Sequence, residues 1–266
     1  MSNIHPTAVI DPSAKIDPST VVGPFTVIGA DVQIGKNNHI GPHCVIENTT
    51  MGDNNELIAS CFIGVKPQDL SYKDEHTRVV MGNGNKIREC VTIHRSTFVD
   101  KPTTVGNNCL LMANSHLAHD VQMGNNVIVA NSTGIAGHVI VEDRVVISGL
   151  VGVHQFARIG TMAMVSGGSM VPLDIPPYCI AQGDRAKTVG INIIGMRRAG
   201  LDRSVISEVR RAYKLIFRSN KRIEEAAQEL EAGKPCKEVQ HFIDFCRAST
   251  RGLTPAKRRI SESDDE

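Results

Sequence analysis

Aliphatic residues recur at every sixth position along most of this chain from Ile4 to Val171. The period slips by one residue before Met51 and pauses before Met81, then resumes. An α-helix repeats every 3.6 residues and an amphipathic strand every two, so neither element produces this pattern. A six-residue period is typical of a parallel β-helix built from hexapeptide repeats. The periodic positions are Ile4, Ile10, Ile16, Val22, Ile28, Ile34, Ile40, Ile46, Met51, Leu57, Ile63, Met81, Ile87, Ile93, Val99, Val105, Leu111, Leu117, Met123, Val129, Ile135, Val141, Ile147, Val153, Ile159, Val165 and Val171.

The residues between the aliphatic positions fit the same architecture. Gly, Asn and Asp tolerate the tight corners that join short strands, and prolines at positions 6, 12, 18 and 24 keep the same period. In the left-handed form of this fold, three hexads close one triangular coil, and neighbouring coils lie about 4.8 Å apart. We predict a left-handed parallel β-helix of hexapeptide repeats over residues 1–187. Its narrow interior explains the absence of Trp.

One stretch interrupts the period. Two expected aliphatic positions are occupied by Asp69 and Glu75, whose charged side chains cannot line an apolar core. We therefore predict an external loop at about residues 65–80, and a long loop of this kind is often functional. Beyond the loop the period is expected to continue without a break and to include Val99.

The pattern becomes helical in the last third of the chain. Asp202 is a candidate N-cap for a helix that ends near Ser219. Two further helices are predicted at about residues 221–232 and 236–249. The β-helix is therefore expected to be followed by a small α-helical C-terminal domain.

Charge is unevenly distributed along the chain. The whole sequence carries a net charge of +1, yet residues 185–259 contain 18 Lys and Arg against 8 Asp and Glu. We predict a basic helical domain over residues 188–258 and a disordered acidic tail over 259–266. A basic surface suits an acidic partner, although charged helices can also be ordinary solvated surface. Nucleic acid is a weaker option because aromatic stacking residues are sparse there.

The cysteines carry no motif. The seven residues are scattered, none forms a CxxC pair, and the chain has no signal peptide or transmembrane stretch. These features predict a reduced, cytoplasmic protein without membrane insertion, in which cysteine has a structural role.

A cluster of histidines carries the richest chemistry. No member of the cluster occupies an aliphatic position, so we expect none inside the prism. With regular coils, His119 would lie beside Gly137, and Asp120 beside His138. A general base next to a glycine N–H suits acyl transfer with an oxyanion donor. Zinc ligation and histidines without a role are the alternatives. The clustered histidines are His116, His119, His138 and His154.

Specific motifs recur along the chain to about Leu253, and on them the sequence resembles the UDP-N-acetylglucosamine acyltransferases of lipid A biosynthesis. The motifs are Gln68-Asp69-Leu70, Ile87-Arg88-Glu89, Val91-Thr92-Ile93-His94-Arg95, His116-Leu117-Ala118-His119-Asp120, Ala136-Gly137-His138, Val153-His154-Gln155-Phe156, Ile175-Pro176-Pro177-Tyr178, Ala212-Tyr213-Lys214-Leu215-Ile216 and Ser249-Thr250-Arg251-Gly252-Leu253.

This resemblance implies a homotrimer with active sites in the clefts between neighbouring prisms, and no metal or cofactor. The implied reaction moves an (R)-3-hydroxyacyl chain from acyl carrier protein to the 3-hydroxyl of UDP-N-acetylglucosamine. The acidic carrier would dock on the basic helical domain. His119 is implied to be the general base, Asp120 its supporting acid, and the Gly137 N–H the oxyanion donor. Gly167 matches the position that limits acyl-chain depth, and glycine there implies a longer chain. The implied substrate contacts are Gln68, Asp69, His116, His138, His154, Gln155, Asn192 and Arg198.

Three positions depart from the family pattern. Ser71 stands where a lysine is frequent, Ile194 replaces a glutamate, and Arg185 replaces a histidine. The departures leave open a 3-amino analogue of the sugar as acceptor. A zinc-dependent γ-type carbonic anhydrase is a further alternative. The N-acyltransferase of the same pathway has an additional N-terminal domain, which we do not expect here because the repeat begins at Ile4.

Overall fold

A computed structural model describes residues 3–257, so the predicted acidic tail at 259–266 lies outside the described residues. Within them, short strands follow one another, and most pair in parallel with the strand three places later. Three sheets of nine, eight and ten strands result. They form the faces of a left-handed parallel β-helix, which confirms the predicted fold class.

Each face of the prism is one of these sheets. The first sheet contains β1 (Val9–Ile10), β4 (Val27–Ile28), β7 (Val45–Ile46), β10 (Phe62–Val65), β13 (Thr92–His94), β16 (His116–Leu117), β19 (Gly134–Ile135), β22 (Gly152–Val153) and β25 (Met170–Val171). The second contains β2 (Lys15–Ile16), β5 (Gln33–Ile34), β8 (Thr49–Met51), β11 (Val79–Met81), β14 (Thr103–Val105), β17 (Gln122–Met123), β20 (Ile140–Val141) and β23 (Arg158–Ile159). The third contains β3 (Val21–Val22), β6 (His39–Ile40), β9 (Glu56–Leu57), β12 (Lys86–Ile87), β15 (Leu110–Leu111), β18 (Ile128–Val129), β21 (Val146–Ile147), β24 (Met164–Val165), β26 (Cys179–Gln182) and β27 (Lys187–Ile191).

The interior of the prism is filled by the periodic aliphatic residues. From Val22 onward nearly all of them are buried, because alternate side chains of a strand point to opposite faces. The residue two places before each one is also buried and is usually small, as at Cys44, Cys61 and Ala163. All seven cysteines are free thiols.

Three buried asparagines form a polar ladder inside the corner between the second and third sheets. The side-chain oxygen of Asn38 accepts hydrogen bonds from the backbone N–H and side-chain amide of Asn55, at 2.8 and 3.0 Å. Asn55 does the same for Asn85, and the Asn85 oxygen accepts from the Cys109 N–H. The ladder pairs polar atoms that would otherwise be costly to bury.

The predicted external loop is present. Strand β10 ends at Val65 and β11 begins at Val79. A regular coil of three hexads pairs residues such as Leu117 and Ile135. Here Met51 pairs with Met81 instead, so this coil is longer than a regular one by two whole hexads. The additional chain forms the loop.

The prediction that the period continues through Val99 is wrong. Ile93 pairs with Leu117, so this coil spans four hexads and carries a second insertion of one hexad. Val99 is 64% exposed in the loop between His94 and Thr103. Because the insertion is one whole hexad, the phase of the later strands is unchanged, and the period alone could not reveal the loop.

The β-helix ends with β26 and β27, which pair in antiparallel fashion. The predicted helices follow close to their expected bounds. Asp202 directly precedes the helix that begins at Arg203, although the Asp202 side chain makes no capping hydrogen bond. No helix in residues 3–257 is long and apolar enough to cross a membrane. The helices there are α1 (Ile193–Arg198), α2 (Arg203–Arg218), α3 (Ile223–Ala232) and α4 (Lys237–Arg247).

A histidine–carboxylate pair joins the helical segment to the β-helix. His241 of α4 donates from Nε2 to Glu142 Oε2 at 2.8 Å, and the same oxygen accepts from the backbone and hydroxyl of Thr161. The hydrogen bond to Glu142 raises the pKa of His241 above its usual value. Burial acts to raise the pKa of Glu142, but the hydrogen bond and charge of His241 and the bonds from Thr161 together lower it.

Candidate active site

A groove of about 850 Å³ lies along the upper part of the first sheet. Its floor follows the outward positions of strands β19, β22 and β25, which are Gly134, Gly152 and Met170. The floor is open at Gly134, where an added Cβ would meet no atom within 4 Å, whereas the Met170 side chain lies over Gly152. Six predicted site residues line the groove: Gln68, His116, His119, Gly137, His154 and Gln155.

His119 and Asp120 form a hydrogen-bonded pair at the edge of the groove. His119 Nδ1 lies 2.7 Å from Asp120 Oδ2. Burial acts to raise the pKa of Asp120, but hydrogen bonds from His119 and Thr97 together lower it, so the carboxylate is ionised at neutral pH. An ionised carboxylate only accepts hydrogen bonds, so Nδ1 of neutral His119 carries the proton. The lone pair at Nε2 is thus available for a substrate proton.

Gly137 lies directly beside the His119 ring, as the coil spacing predicted. A Cβ added to Gly137 would stand 2.5 Å from His119 Cε1 and 2.7 Å from Nε2, so the ring occupies space that a side chain would fill. Within residues 3–257 the Gly137 N–H has no hydrogen-bond acceptor. A free N–H beside a base is the arrangement that an oxyanion requires.

The equivalent N–H groups on another corner of the prism are satisfied. The backbone N–H groups of Asn83, Asn107 and Asn125 each donate to a side-chain oxygen from the next coil, at 2.7 to 2.9 Å. At the site corner the next coil supplies Gln155, which makes no such bond to Gly137 in the part of the chain described. The Gly137 N–H therefore lacks the side-chain acceptor that these three N–H groups have.

His138 stands between the His119–Asp120 pair and an aromatic platform. Its ring stacks on Phe156 with centroids 4.6 Å apart and meets His119 edge-on at 5.1 Å. Its Nδ1 lies 3.7 Å from Asp120 Oδ2. Burial is the main cause that lowers the pKa of His138, with the nearby His119 acting in the same direction. A neutral His138 can donate a hydrogen bond without adding a positive charge beside His119.

Two further histidines lie below the base. His116 Nδ1 is 2.7 Å from the Thr92 hydroxyl, and its ring meets His94 edge-on at 4.8 Å. Burial lowers the pKa of His116, and it lowers the pKa of His94 to about 4. Both imidazoles are therefore neutral at physiological pH.

The external loop places an acid opposite the base. Asp69 Oδ2 lies 3.8 Å from His119 Nε2. Ser71 donates to Asp69 Oδ1 from its hydroxyl at 2.7 Å and from its N–H at 2.8 Å. These two bonds lower the pKa of Asp69. Ser71 thus holds the Asp69 carboxylate in place.

The same cluster has the spacing of a metal site. Ligand atoms of His119, Asp120 and His138 lie within 4.8 Å of one another. The Asp120 carboxylate, however, already accepts from His119 and from the N–H and hydroxyl of Thr97, at 3.0 and 2.7 Å. A metal ion would have to compete with these bonds, so the geometry favours proton transfer.

Comparison with known proteins gives matches over nearly the whole chain. Residues 174–254 match a family profile described as UDP N-acetylglucosamine O-acyltransferase, domain 2, and residues 102–137 match the bacterial transferase hexapeptide profile. A Gloeothece citriformis protein named acyl-[acyl-carrier-protein]--UDP-N-acetylglucosamine O-acyltransferase is 44% identical over 260 residues, which are 96% of this chain and 94% of that protein. A protein of the same name from Anaeromyxobacter is 45% identical over 208 residues, 77% of this chain and 81% of its own.

The three-dimensional comparison agrees. The UDP-N-acetylglucosamine acyltransferase of Francisella novicida superposes with a TM-score of 0.92 at 35% identity, covering 96% of this chain and 95% of that one. The chain belongs to the UDP-N-acetylglucosamine O-acyltransferase family.

Six site residues expected from the acyltransferase family do not line the groove. Asp69, Asp120 and His138 lie against His119, whereas Asn192, Arg198 and Gly167 lie outside both the groove and this cluster. Asn192 caps α1: its side-chain oxygen accepts from the Gly195 N–H and its amide donates to the Met162 carbonyl. Arg198 is exposed at the end of the same helix. Gly167 lies in the turn before β25, and a Cβ there would be 3.4 Å from the nearest carbonyl oxygen, so the turn has room for a small side chain.

Three residues that the sequence pattern did not indicate touch the acyltransferase site. Thr97 and Phe98 lie in the inserted hexad, where Thr97 binds Asp120 and Phe98 lies 6.0 Å from the His138 ring. Arg251 lines the groove and binds His154. The polar run Asp100-Lys101-Pro102 was a signal that this hexad leaves the coil.

Proposed function

We propose that this protein transfers an (R)-3-hydroxyacyl chain from acyl carrier protein to the 3-hydroxyl of UDP-N-acetylglucosamine, the first step of lipid A biosynthesis. Family membership supports the substrates. The observation that carries the chemistry is the unpaired Gly137 N–H beside His119, whose Nε2 is kept free by Asp120. A base, its orienting acid and an oxyanion donor are the groups that direct acyl transfer needs.

The proposed mechanism is a direct attack without a covalent enzyme intermediate. His119 Nε2 removes the proton from the sugar hydroxyl, and the oxygen forms a bond to the thioester carbonyl carbon. The Gly137 N–H stabilises the oxyanion, and Asp120 stabilises the imidazolium. The carbon–sulfur bond then breaks, and His119 returns the proton to the carrier thiolate. The general base and the single oxyanion donor would each contribute about 10²-fold or more in rate.

A transfer assay tests this function. The wild-type chain and His119→Ala would be compared with UDP-N-acetylglucosamine and a set of 3-hydroxyacyl carrier proteins. We expect turnover by the wild type, and a loss of at least about 10²-fold in the variant at unchanged oligomeric state. Near-normal turnover by the variant would remove His119 from the mechanism. Transfer to a 3-amino sugar analogue alone would change the acceptor, and stoichiometric zinc would favour the carbonic anhydrase alternative.

We further propose that the working unit is a homotrimer with each groove completed by a neighbouring prism. One row of outward side chains on the first sheet supports this. Below the groove it is apolar over four coils, with Val9, Val27, Val45 and Phe62 in register, and Val9 is 63% exposed. A second copy against this row would bury it.

The carrier protein is proposed to dock on the helical segment. A cavity of about 1170 Å³ there is lined by basic side chains and, within residues 3–257, by no acidic one. An acidic surface would be attracted to it and retained by complementary charge. The basic residues are Arg210, Arg211, Lys214, Arg218 and Lys257.

Two finer properties follow from the same proposal. Gly167 is proposed to be the position that limits acyl depth, as the family resemblance implies, and the absence of a side chain there predicts that the preferred chain in the assay is among the longer ones. Turnover confined to short chains would contradict this. Seven free thiols suit a reducing compartment, so we place the reaction in the cytoplasm.

A further inference from the structure

A C-terminal segment returns to the β-helix beside the groove. Leu253 bridges in parallel to Asp174, the Asp174 N–H donates to the Gly252 carbonyl, and the Thr254 N–H donates to the Asp174 carbonyl. The Ser249 hydroxyl adds a bond to the Asp174 carboxylate at 2.7 Å. These contacts hold Arg251, in the middle of the segment, in a fixed place.

The Arg251 guanidinium makes two short hydrogen bonds at the groove. Its Nε donates to the Pro172 carbonyl at 2.6 Å, and its Nη2 lies 2.7 Å from His154 Nδ1. In the described part of the chain it forms no ion pair with an acid. A guanidinium has five N–H donors and no acceptor, so in this contact His154 Nδ1 must be the acceptor.

A second neighbour of His154 Nδ1 requires this nitrogen to be a donor. His154 Nδ1 lies 3.2 Å from the Gln155 carbonyl oxygen, which can only accept. A protonated Nδ1 would satisfy Gln155 and face the donors of Arg251; an unprotonated Nδ1 satisfies Arg251. The bond to the cation is shorter and charge-assisted, and such bonds are roughly twice as strong as neutral ones.

We propose that Arg251 is a positioning residue that fixes the tautomer of His154, so that His154 Nε2 carries the proton and donates it to a phosphate oxygen of the nucleotide sugar. His154 is exposed to the groove, and no residue in 3–257 accepts from its Nε2. The pair therefore presents only donors and one uncompensated positive charge. This combination suits an anionic oxygen better than a hydroxyl. The inference about the ligand rests on the function proposed above; the inference about the tautomer does not.

The tautomer can be read directly from long-range ¹H–¹⁵N spectra of the full-length protein labelled at histidine, with His154→Gln used for assignment. In the wild type we expect the pattern of a neutral ring protonated at Nε2. Arg251→Met removes the donors and keeps the length of the side chain, so the pattern should shift toward protonation at Nδ1, facing Gln155. Arg251→Lys keeps a charged donor and should restore the wild-type pattern at least in part.

Arg185→Met is a matched control because Arg185 also lines the groove and contributes the same charge, yet makes no bond to His154. Its His154 spectrum should remain that of the wild type. An unchanged His154 pattern in Arg251→Met, at an unchanged thermal midpoint, would overturn the tautomer assignment. A change in the control as large as in Arg251→Met would show that the groove charge, and no specific bond, sets the tautomer.

Steady-state kinetics test the ligand. Losing one hydrogen bond to a charged group should raise KM for the nucleotide sugar at least about tenfold in Arg251→Met, with kcat and KM for the acyl carrier protein within about twofold. A rise confined to KM of the acyl donor would overturn the phosphate assignment and move the contact to the thioester. Absence of transfer by the wild type would refute the proposed function, while the spectra would still decide the tautomer.

Discussion

Substitution of Gly137 by alanine is the sharpest test of the close contact between the base, His119, and the oxyanion donor, the Gly137 N–H. The new Cβ would stand 2.5 Å from His119 Cε1 and 2.7 Å from Nε2, whereas carbon atoms in contact are about 3.5–4.0 Å apart. The ring would therefore have to move by roughly 1 Å, since Gly137 is fixed by the backbone. Such a shift would break the 2.7 Å bond to Asp120.

The expected cost falls on turnover. A displacement of about 1 Å at the reacting group costs about 10²-fold, and the oxyanion donor would be shielded as well. We expect kcat for acyl transfer to fall at least about 10²-fold, with both KM values near those of the wild type. The free energy of unfolding should change by less than about 2 kcal/mol, since the ring can move toward the open groove.

The assay would follow formation of acylated nucleotide sugar by mass spectrometry at saturating substrates. Gly29→Ala is the matched control because the nearest atom to its Cβ would be a Glu47 side-chain carbon at 3.4 Å, an ordinary contact in a distant coil. The double variant with His119→Ala should lose little beyond His119→Ala itself, since both changes disable one unit. Turnover of Gly137→Ala within about threefold of the wild type would show that the close contact between His119 and Gly137 is not needed for catalysis.

Three further outcomes are expected. Asp120→Asn replaces an accepting carboxylate oxygen with an amide nitrogen, which cannot accept the hydrogen bond from His119 Nδ1, and it should lower kcat by about 10²-fold or more. Normal turnover would show that the Asp120 carboxylate is not needed. Arg210→Glu should raise KM for the acyl carrier protein severalfold at low salt, with the effect reduced at high salt, whereas Lys36→Glu in a distant coil should not; equal effects would dismiss the docking cavity. For His241→Gln, the loss of unfolding free energy should be about 1 kcal/mol near pH 5.5. The pKa of His241 is raised in the folded protein, so its contribution to stability is complete below about pH 6.5 and is lost as pH rises through that raised pKa. The pKa of Glu142 is lowered in the folded protein, so its contribution is complete above about pH 4.5 and is lost as pH falls through that lowered pKa. A deficit that is the same at pH 5.5 and pH 9 in chemical denaturation would exclude this pair.

The fold was predictable because one physical requirement repeats. Each hexad must place an aliphatic side chain in a narrow interior, so the period identifies the β-helix and its phase. The pairing of His119 with Gly137 was predictable for the same reason, since no insertion separates Leu117 from Ile135. The three predicted helices correspond to α2, α3 and α4, although Asp202 makes no capping hydrogen bond with its side chain.

The rest depended on information that the period does not contain. The loop holding Thr97 and Phe98 is one hexad long, so it left no trace in the phase. His119 lies outside the prism as expected, yet it is only 8% exposed because neighbouring side chains surround it. Asparagine also has two uses here: Asn37 takes a left-handed turn conformation, whereas Asn38 belongs to the buried ladder. A residue type alone cannot distinguish them.

The stacking of coils also has a consequence for how this molecule can vary in length. Each coil contacts mainly the coils before and after it, so stability is a sum of neighbouring terms. In the first coil that the structure describes, Ile4, Ile10 and Ile16 are only partly buried, whereas the aliphatic residues of later coils are buried. Local opening should therefore begin in this coil and reach the groove last. Evolution could therefore add or remove N-terminal coils while the catalytic geometry stays the same.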